Sequence, residues 1–259
     1  MIRTPPIFVS ALLLLQALGL RSQADPPPGA KWTPIREFTD EFEGKELDLQ
    51  KWQRGNPNWL GREPGLFVDQ NVTVQDGKLQ LCIKAENPSN APKGYHDFTC
   101  ACLTSRNRVR YGYFEIRAKI MNSKGSSAFW FFNNTPEIWT EIDVFEMCAG
   151  GSKEAGKIHT GAHVFHAPGV TKEISVPESF VLPAAPEQDF HLYALEWDVD
   201  NLRWYVDGKL IRRVENLHWR QTLHLLFDTE IMETWFGLPD KNSLPSVYEI
   251  DYIRAWQKR

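Results

Sequence analysis

Hydrophobic and polar residues alternate along most of the chain. Over residues 78–84, Leu79, Leu81 and Ile83 fall on one side and Gln80, Cys82 and Lys84 on the other. Residues 111–121 repeat the pattern, with Phe114, Ile116, Ala118 and Ile120 facing one way and Glu115, Arg117 and Lys119 the other. A period of two is that of a strand with one face buried. Similar segments are 98–105, 128–132, 139–147, 159–165, 190–197, 202–206, 210–214, 224–227 and 247–257. Asp76-Gly77 and Asp207-Gly208 each stand between alternating segments. Asp-Gly suits a two-residue hairpin, whose central positions take positive φ. No long window carries apolar residues at i, i+3, i+4 and i+7, so no core helix is expected. About a dozen strands punctuated by Gly and Pro predict an all-β fold of two packed sheets, a sandwich or jelly roll.

One segment strains this pattern. Trp139-Thr140-Glu141-Ile142-Asp143-Val144-Phe145-Glu146-Met147 carries three acids among Ile, Val and Phe, and carboxylates in a buried strand are expensive. Strand geometry puts Glu141 and Asp143 on one face. Strict alternation would send Glu146, five residues from Glu141, into the apolar core. One extra residue, a β-bulge near Val144-Phe145, restores parity and turns all three acids the same way. Two carboxylates on one face, separated by a third, are the parts that retaining glycoside hydrolysis needs, with carboxyl groups about 5–5.5 Å apart. Same-face strand positions repeat every ~6.5–7 Å, and the bulge and side-chain reach shorten the two steps from Glu141 to Glu146. Asp143 between them would hydrogen-bond Glu141 and push the paired pKa values apart by like-charge repulsion. A solvated edge strand would carry the same acids without chemistry, but the Trp-rich, apolar flanks argue against it.

Length and composition bound the rest. The 259 residues, 42% hydrophobic and 24% charged, suit a single globular domain. With 29 basic against 33 acidic residues the net charge is −4, so there is no electrostatic footprint for nucleic acid. Ten Trp, several beside polar or turn residues, suit the stacking of sugar rings. Arg3, the apolar stretch 7–20 and Ser22-Gln23-Ala24 read as a signal peptide over 1–24, then a Pro-rich linker over 25–31 and one domain over 32–259. A secreted or periplasmic protein follows, probing no membrane after leader removal. Cys100 and Cys102 would share a strand face, so a bridge from either would run to Cys82 or Cys148; free thiols are the alternative. Trp197 and Trp204 fall in apolar strands and read as core. Asn71-Val72-Thr73 and Asn133-Asn134-Thr135 are glycosylation sequons.

Glu141-Ile142-Asp143-Val144-Phe145-Glu146 resembles the E-[ILV]-D-x-x-E signature of glycoside hydrolase family 16 in its bulged form. The likeness covers nearly the whole expected domain. Phe38-Thr39-Asp40-Glu41-Phe42-Glu43-Gly44 resembles the family's opening, residues 110–118 its middle strand and residues 248–254 its closing strand. The resemblance implies a concanavalin-like β-jelly-roll sandwich of two antiparallel sheets, with a substrate cleft on the concave face. It implies endo-acting, retaining hydrolysis with Glu141 as nucleophile, Asp143 as its assistant and Glu146 as acid/base. Residues 58–67, 126–131 and 163–166 are most similar to β-agarases and porphyranases, which cut red-algal galactans at β-1,4 bonds. Carrageenases and β-1,3-glucanases share the catalytic hexapeptide, transglycosylases share the residues, and lectins share the fold.

Candidate substrate contacts follow. Trp59 and Trp139 offer stacking platforms, and the resemblance adds Trp130 and Glu230. Arg62 would bind hydroxyls of a neutral galactan or a sulfate ester. Arg106 either reaches the groove or forms a surface ion pair. His163 would hydrogen-bond substrate or a catalytic carboxylate, and strand parity separates His166 from His159 and His163, which argues against zinc. Retaining hydrolysis needs no cofactor. The resemblance implies a structural calcium at Asp251, with backbone carbonyls near Glu41 and Gly44. The expected partner is a galactan polysaccharide, and the expected state a monomer.

Overall fold

The computed structural model describes residues 26–88 and 90–259; the leader expected over 1–24 lies outside them. The strands are, in chain order, β1 (Trp32–Pro34), β2 (Trp52–Arg54), β3 (Gly65–Phe67), β4 (Val72–Gln75), β5 (Lys78–Ile83), β6 (Phe98–Cys100), β7 (Cys102–Ser105), β8 (Gly112–Lys119), β9 (Ser127–Asn134), β10 (Trp139–Met147), β11 (Lys157–His166), β12 (Ile174–Ser175), β13 (Glu178–Val181), β14 (His191–Trp197), β15 (Asn201–Val206), β16 (Lys209–Glu215), β17 (His224–Asp228) and β18 (Ser246–Lys258). Helix among the described residues is limited to short 3-10 turns at Arg36–Phe38, Asp69–Asn71 and Lys241–Ser243. β1 to β3, β12 and β13 are two to four residues long, too short to show a period in sequence.

Two antiparallel sheets form the jelly roll. The outer sheet runs β16-β15-β14-β8-β18-β5-β4, with β1 beside β18. The cleft sheet runs β12-β11-β10-β9-β17-β7-β2, with β13 also on β11. Both Asp-Gly pairs make the expected hairpins: Asp76 and Gly77 at φ 52° and 69° join β4 to β5, and Asp207 and Gly208 at 48° and 73° join β15 to β16. Between the sheets, Phe114, Ile116 and Leu195 of the outer sheet meet Phe129, Phe131, Leu225 and Phe227 of the cleft sheet. Trp197 and Trp204 are buried there as expected.

The segment 98–105 departs from the single strand its alternation predicts. It breaks at Ala101, which exchanges hydrogen bonds with Thr229 through its amide to Oγ1 and its carbonyl to the Thr229 amide. β6 pairs in parallel with β3, whereas β7 joins the cleft sheet. Cys100 and Cys102 therefore do not share a face: Cys100 packs in the main core and Cys102 under the cleft. All four cysteines are unpaired. Neither sequon offers its amide to a glycan, because Asn71 Nδ2 donates to Thr99 Oγ1 at 2.9 Å and Asn133 Nδ2 to the Thr222 carbonyl at 3.1 Å.

One side chain ties the edges of the two sheets together beside the cleft. Arg212, buried on β16, donates to Thr160 Oγ1 at 2.8 Å and to the Val176 carbonyl. Its Nε meets Glu178 at 3.1 Å, and its guanidinium covers the Trp204 ring at 4.7 Å. Glu178 is itself half exposed, so the ion pair contributes little and the buried acceptors dominate. Arg212→Leu is expected to cost about 2–3 kcal/mol, lowering Tm by about 5–10 °C. Thermal unfolding followed by circular dichroism checks this; a change under about 2 °C would mean that the clamp is dispensable.

Candidate active site

β10 carries the bulge, and its register shows where. Against β9, Asp143 faces Trp130 and the next pair is Phe145 with Phe129; against β11, Asp143 faces Gly161 and the next is Glu146 with His159. One residue is therefore in excess at Val144-Phe145. Ile142, Val144, Phe145 and Met147 all enter the main core, while Glu141, Asp143 and Glu146 line the cleft. The Asp143 carbonyl accepts a 2.8 Å hydrogen bond from Trp204 Nε1 of the opposite sheet.

The cleft is a space of about 400 Å³ lined by these three acids, Glu230, Arg62, several aromatic rings and neutral amides. Its floor is an apolar patch of Cys102, Ala128, Trp130, Phe132 and Leu226, with Trp59, Phe67 and Trp139 packed against it. Trp59 stands edge-on to Phe67 at 5.1 Å, and Trp139 lies against Phe165 at 4.2 Å. The Trp139 Nε1 donor is buried without a partner.

Charge is crowded here. His163 Nε2 lies 3.1 Å from Asp143 Oδ2, and its Nδ1 lies 3.0 Å from Ser175 Oγ. The meeting requires Gly161, where a Cβ would come within 2.4 Å of Asp143 Oδ2 and 2.7 Å of His163 Nε2. Burial, then the charges of Asp143 and Glu146, hold Glu141 well above the usual carboxylate range. Burial, then Asp143, Glu230 and Asp228, does the same to Glu146, with Arg62 opposing. At His163 burial disfavours the charge, but its hydrogen bond to Asp143 prevails and the net shift is upward. Such a group can hold a proton on one carboxyl while another stays ionised, the division that acid/base and nucleophilic roles require.

The structure brings most of the sequence-predicted contacts to this cleft. Arg62 Nε meets Glu230 Oε2 at 2.7 Å, with its guanidinium 5.9 Å from the Trp59 ring centroid. Trp130 Nε1 donates to the buried Asp228 at 2.9 Å. Arg106 does not belong to the set: it is exposed, does not line the cleft, and its Nε donates to the Leu49 carbonyl at 2.5 Å. It lies on the loop that crosses toward Lys51, whose carbonyl receives its amide. Parity does not hold to the end of β11, because a register shift sets His166 opposite the cleft residue Trp139; the histidines are kept apart by their partners, His159 taking Ser179 and His166 the Thr135 carbonyl. Among the described residues, the set with ligand atoms close enough to hold an ion is Glu141, Asp143 and His163, within 4.8 Å of one another. An ion there would occupy the carboxyls that carry the chemistry. Asn56 and Asn134 also line the cleft and escaped the sequence reading of it, because short loops and strand ends carry no period; Asn58, Phe132 and Phe165 line it too, from segments the sequence singled out without naming these side chains.

The side chains around the expected calcium site are already paired. The Glu41 carboxylate is engaged by Arg254 through Nε at 2.7 Å and Nη2 at 2.9 Å, and Asp251 Oδ2 by Arg117 at 3.1 Å. Of the expected ligands, the Asp251 carboxylate thus already faces a guanidinium cation, which competes with the roughly 6–8 oxygen ligands that calcium wants.

A two-sheet sandwich that turns three carboxyls to one aromatic cleft is the arrangement of a glycoside hydrolase. A family model described as "Beta-porphyranase A-D, GH16 domain" matches residues 32–258. Beta-porphyranase B of Zobellia galactanivorans is 28% identical over 260 residues, covering 89% of this chain and 86% of that protein. Kappa-carrageenase of Pseudoalteromonas carrageenovora is 26% identical over 298 residues, covering 98% of this chain and 72% of that protein. The crystal structure of porphyranase B from Zobellia galactanivorans is similar with a TM-score of 0.79 at 25% identity, over 92% of this chain and 97% of that one. The chain belongs to glycoside hydrolase family 16.

Two outcomes follow from the electrostatics. A carboxyl whose folded pKa is raised weakens the fold as pH climbs from the unfolded value, about 4.3 for Glu, through the folded one. Glu146→Gln should therefore leave Tm unchanged near pH 4 and raise it by about 3 °C or more at pH 7, and a gain independent of pH would contradict the upward shift. At the opposite face, EDTA or millimolar calcium should move Tm by less than about 1 °C, since an ion that binds only the folded state would raise it measurably.

Proposed function

We propose that the protein is a secreted, retaining endo-hydrolase of β-1,4 bonds in red-algal galactans of the agarose–porphyran type. The observation that carries the mechanism is the bulge in β10, which turns Glu141, Asp143 and Glu146 to one cleft. Glu146 donates its proton to the glycosidic oxygen as Glu141 attacks the anomeric carbon, giving a glycosyl ester and a free sugar hydroxyl. Glu146, now ionised, removes a proton from water, whose oxygen displaces Glu141 and restores both carboxyls. Asp143, held by His163, orients Glu141 and repels its charge. Trp59, Trp130 and Trp139 offer ring faces to the sugars, and Arg62 offers donors to hydroxyls or a sulfate ester.

The galactan reading is supported by the family model and by the similarity of residues 58–67 and 126–131 to agarases and porphyranases. The similarity to a kappa-carrageenase over 98% of this chain supports a second reading, a carrageenan-cleaving enzyme with the same chemistry. Export is supported by the leader-like residues 1–24, and no helix among the described residues is long and apolar enough to cross a membrane. A monomer acting directly on polysaccharide completes the proposal.

Reducing-end release from agarose, porphyran, kappa-carrageenan and laminarin, followed by product sizing, tests it. Agarose or porphyran should be cut to short oligosaccharides, with a bell-shaped pH dependence set by an ionised Glu141 and a protonated Glu146. Glu141→Gln and Glu146→Gln should each lower turnover by about 10³-fold or more while retaining the fold and polysaccharide binding. Undiminished turnover in either variant would sink the assignment. Binding without cleavage by the parent protein would identify a lectin instead.

A further inference from the structure

A fifth carboxyl lies beneath the cleft floor and takes no part in the chemistry described above. Asp228, at the end of β17, is completely inaccessible to solvent. Its Oδ2 accepts from Trp130 Nε1 at 2.9 Å, while its Oδ1 is buried with no hydrogen-bond partner. Burying an unpaired carboxyl oxygen is costly. The register places it in a row across the sheet, Asp228 opposite Ala128 and Ala128 opposite Glu146. Neighbouring strands lie about 4.8 Å apart, so the two acidic residues stand about 10 Å apart at Cα on the same face. The residue between them is an alanine, whose single methyl leaves the gap unfilled by any polar group. Glu230, two residues further on, is held by Arg62, and its backbone carbonyl accepts from the Ser126 amide.

We propose that Asp228 is a positioning residue for the acid/base, acting on Glu146 across Ala128 through the charge it carries once ionised, so that Glu146 keeps its proton until it meets the glycosidic oxygen. The proposal rests on the assignment of Glu146 above and deepens it. The charged and titratable groups around Glu146 are Glu141 and Asp143 on its own strand, His159 and His163 on β11, Asp228 and Glu230 at the end of β17, and Arg62 from the loop before β3. Arg62 is the opposing cation, and it is paired to Glu230. His159 is occupied by Ser179 at Nδ1, with Glu154 3.4 Å from Nε2. Asp228 is thus the member of this set that is buried, unpaired by any cation at hydrogen-bond distance, and free of a substrate-binding duty. Burial, then Glu230, pushes the Asp228 carboxyl itself well above its usual range, so the two acids titrate as interacting groups: once Asp228 ionises, its charge, unscreened by solvent, opposes ionisation of Glu146.

The deciding measurement needs no substrate. Carboxyl carbons of glutamate are labelled with ¹³C, the Glu146 signal is assigned with Glu146→Gln, and the parent and Asp228→Asn are titrated by NMR. Asparagine keeps an oxygen for Trp130 Nε1 and the side-chain volume, and removes the charge. The midpoint of Glu146 should fall by about half a pH unit or more in the variant, and the basic limb of kcat/KM on a cleaved polysaccharide should move down with it while KM changes less than about 2-fold. An unmoved midpoint overturns the proposal. So does a loss of turnover equal at every pH, which would mark Asp228 as a structural anchor for Trp130. Should Asp228→Asn not fold, Asp228→Ser, which keeps an oxygen near Trp130 Nε1 and also removes the carboxyl, replaces it, and an unmoved Glu146 midpoint in that variant overturns the proposal equally. If the parent cuts none of the polysaccharides, the substrate assignment fails while the NMR midpoints still decide the role of Asp228.

Discussion

The bulge in β10 is the constraint on which the rest of the molecule depends. A strand that must bury Ile142, Val144, Phe145 and Met147 while exposing Glu141, Asp143 and Glu146 cannot do so with a period of two. Accepting one unpaired step costs ladder hydrogen bonding on both sides of the strand. Part of that loss is made good from across the core, where Trp204 of the outer sheet donates its indole N–H to the Asp143 carbonyl. A backbone group freed by the bulge is therefore satisfied by a side chain whose ring also carries Arg212. The clamp at the sandwich edge and the acid-bearing strand are in this way one packed unit.

The cleft works against the fold that holds it. Four cleft acids, Glu141, Asp143, Glu146 and Glu230, share a small volume with one paired guanidinium. Desolvation and mutual repulsion raise the proton affinity of Glu141, Glu146 and Glu230. The surrounding rings serve two ends: they exclude water, which strengthens each charge interaction, and they present apolar faces suited to sugar C–H groups. The convex face makes the opposite choice, pairing Glu41 with Arg254 and Asp251 with Arg117.

Alternation made the long strands legible, because a residue's face follows from its parity whenever one side is buried. The bulge was legible for the same reason: Glu146 is out of phase with Glu141, and only an inserted residue reconciles an acid with that position. What escaped was either too short to have a period, as with β12 and β13, or broken by a contact distant in sequence. The split at Ala101 depends on Thr229, 128 residues away. Arg106 read as a groove residue because it follows a cleft strand, yet the loop carrying it turns to Leu49.

By itself the sequence determined the all-β class, the hairpins at Asp76-Gly77 and Asp207-Gly208 and the acids that share a face, since these follow from periods and turn chemistry within a few residues. Only the tertiary structure decided that Arg62 meets Glu230, 168 residues apart, that Asp228 lies behind Glu146, and that guanidinium groups occupy Glu41 and Asp251. Those facts belong to the register between strands that are remote along the chain. That register is set by how two sheets pack as a whole, and no local pattern encodes it.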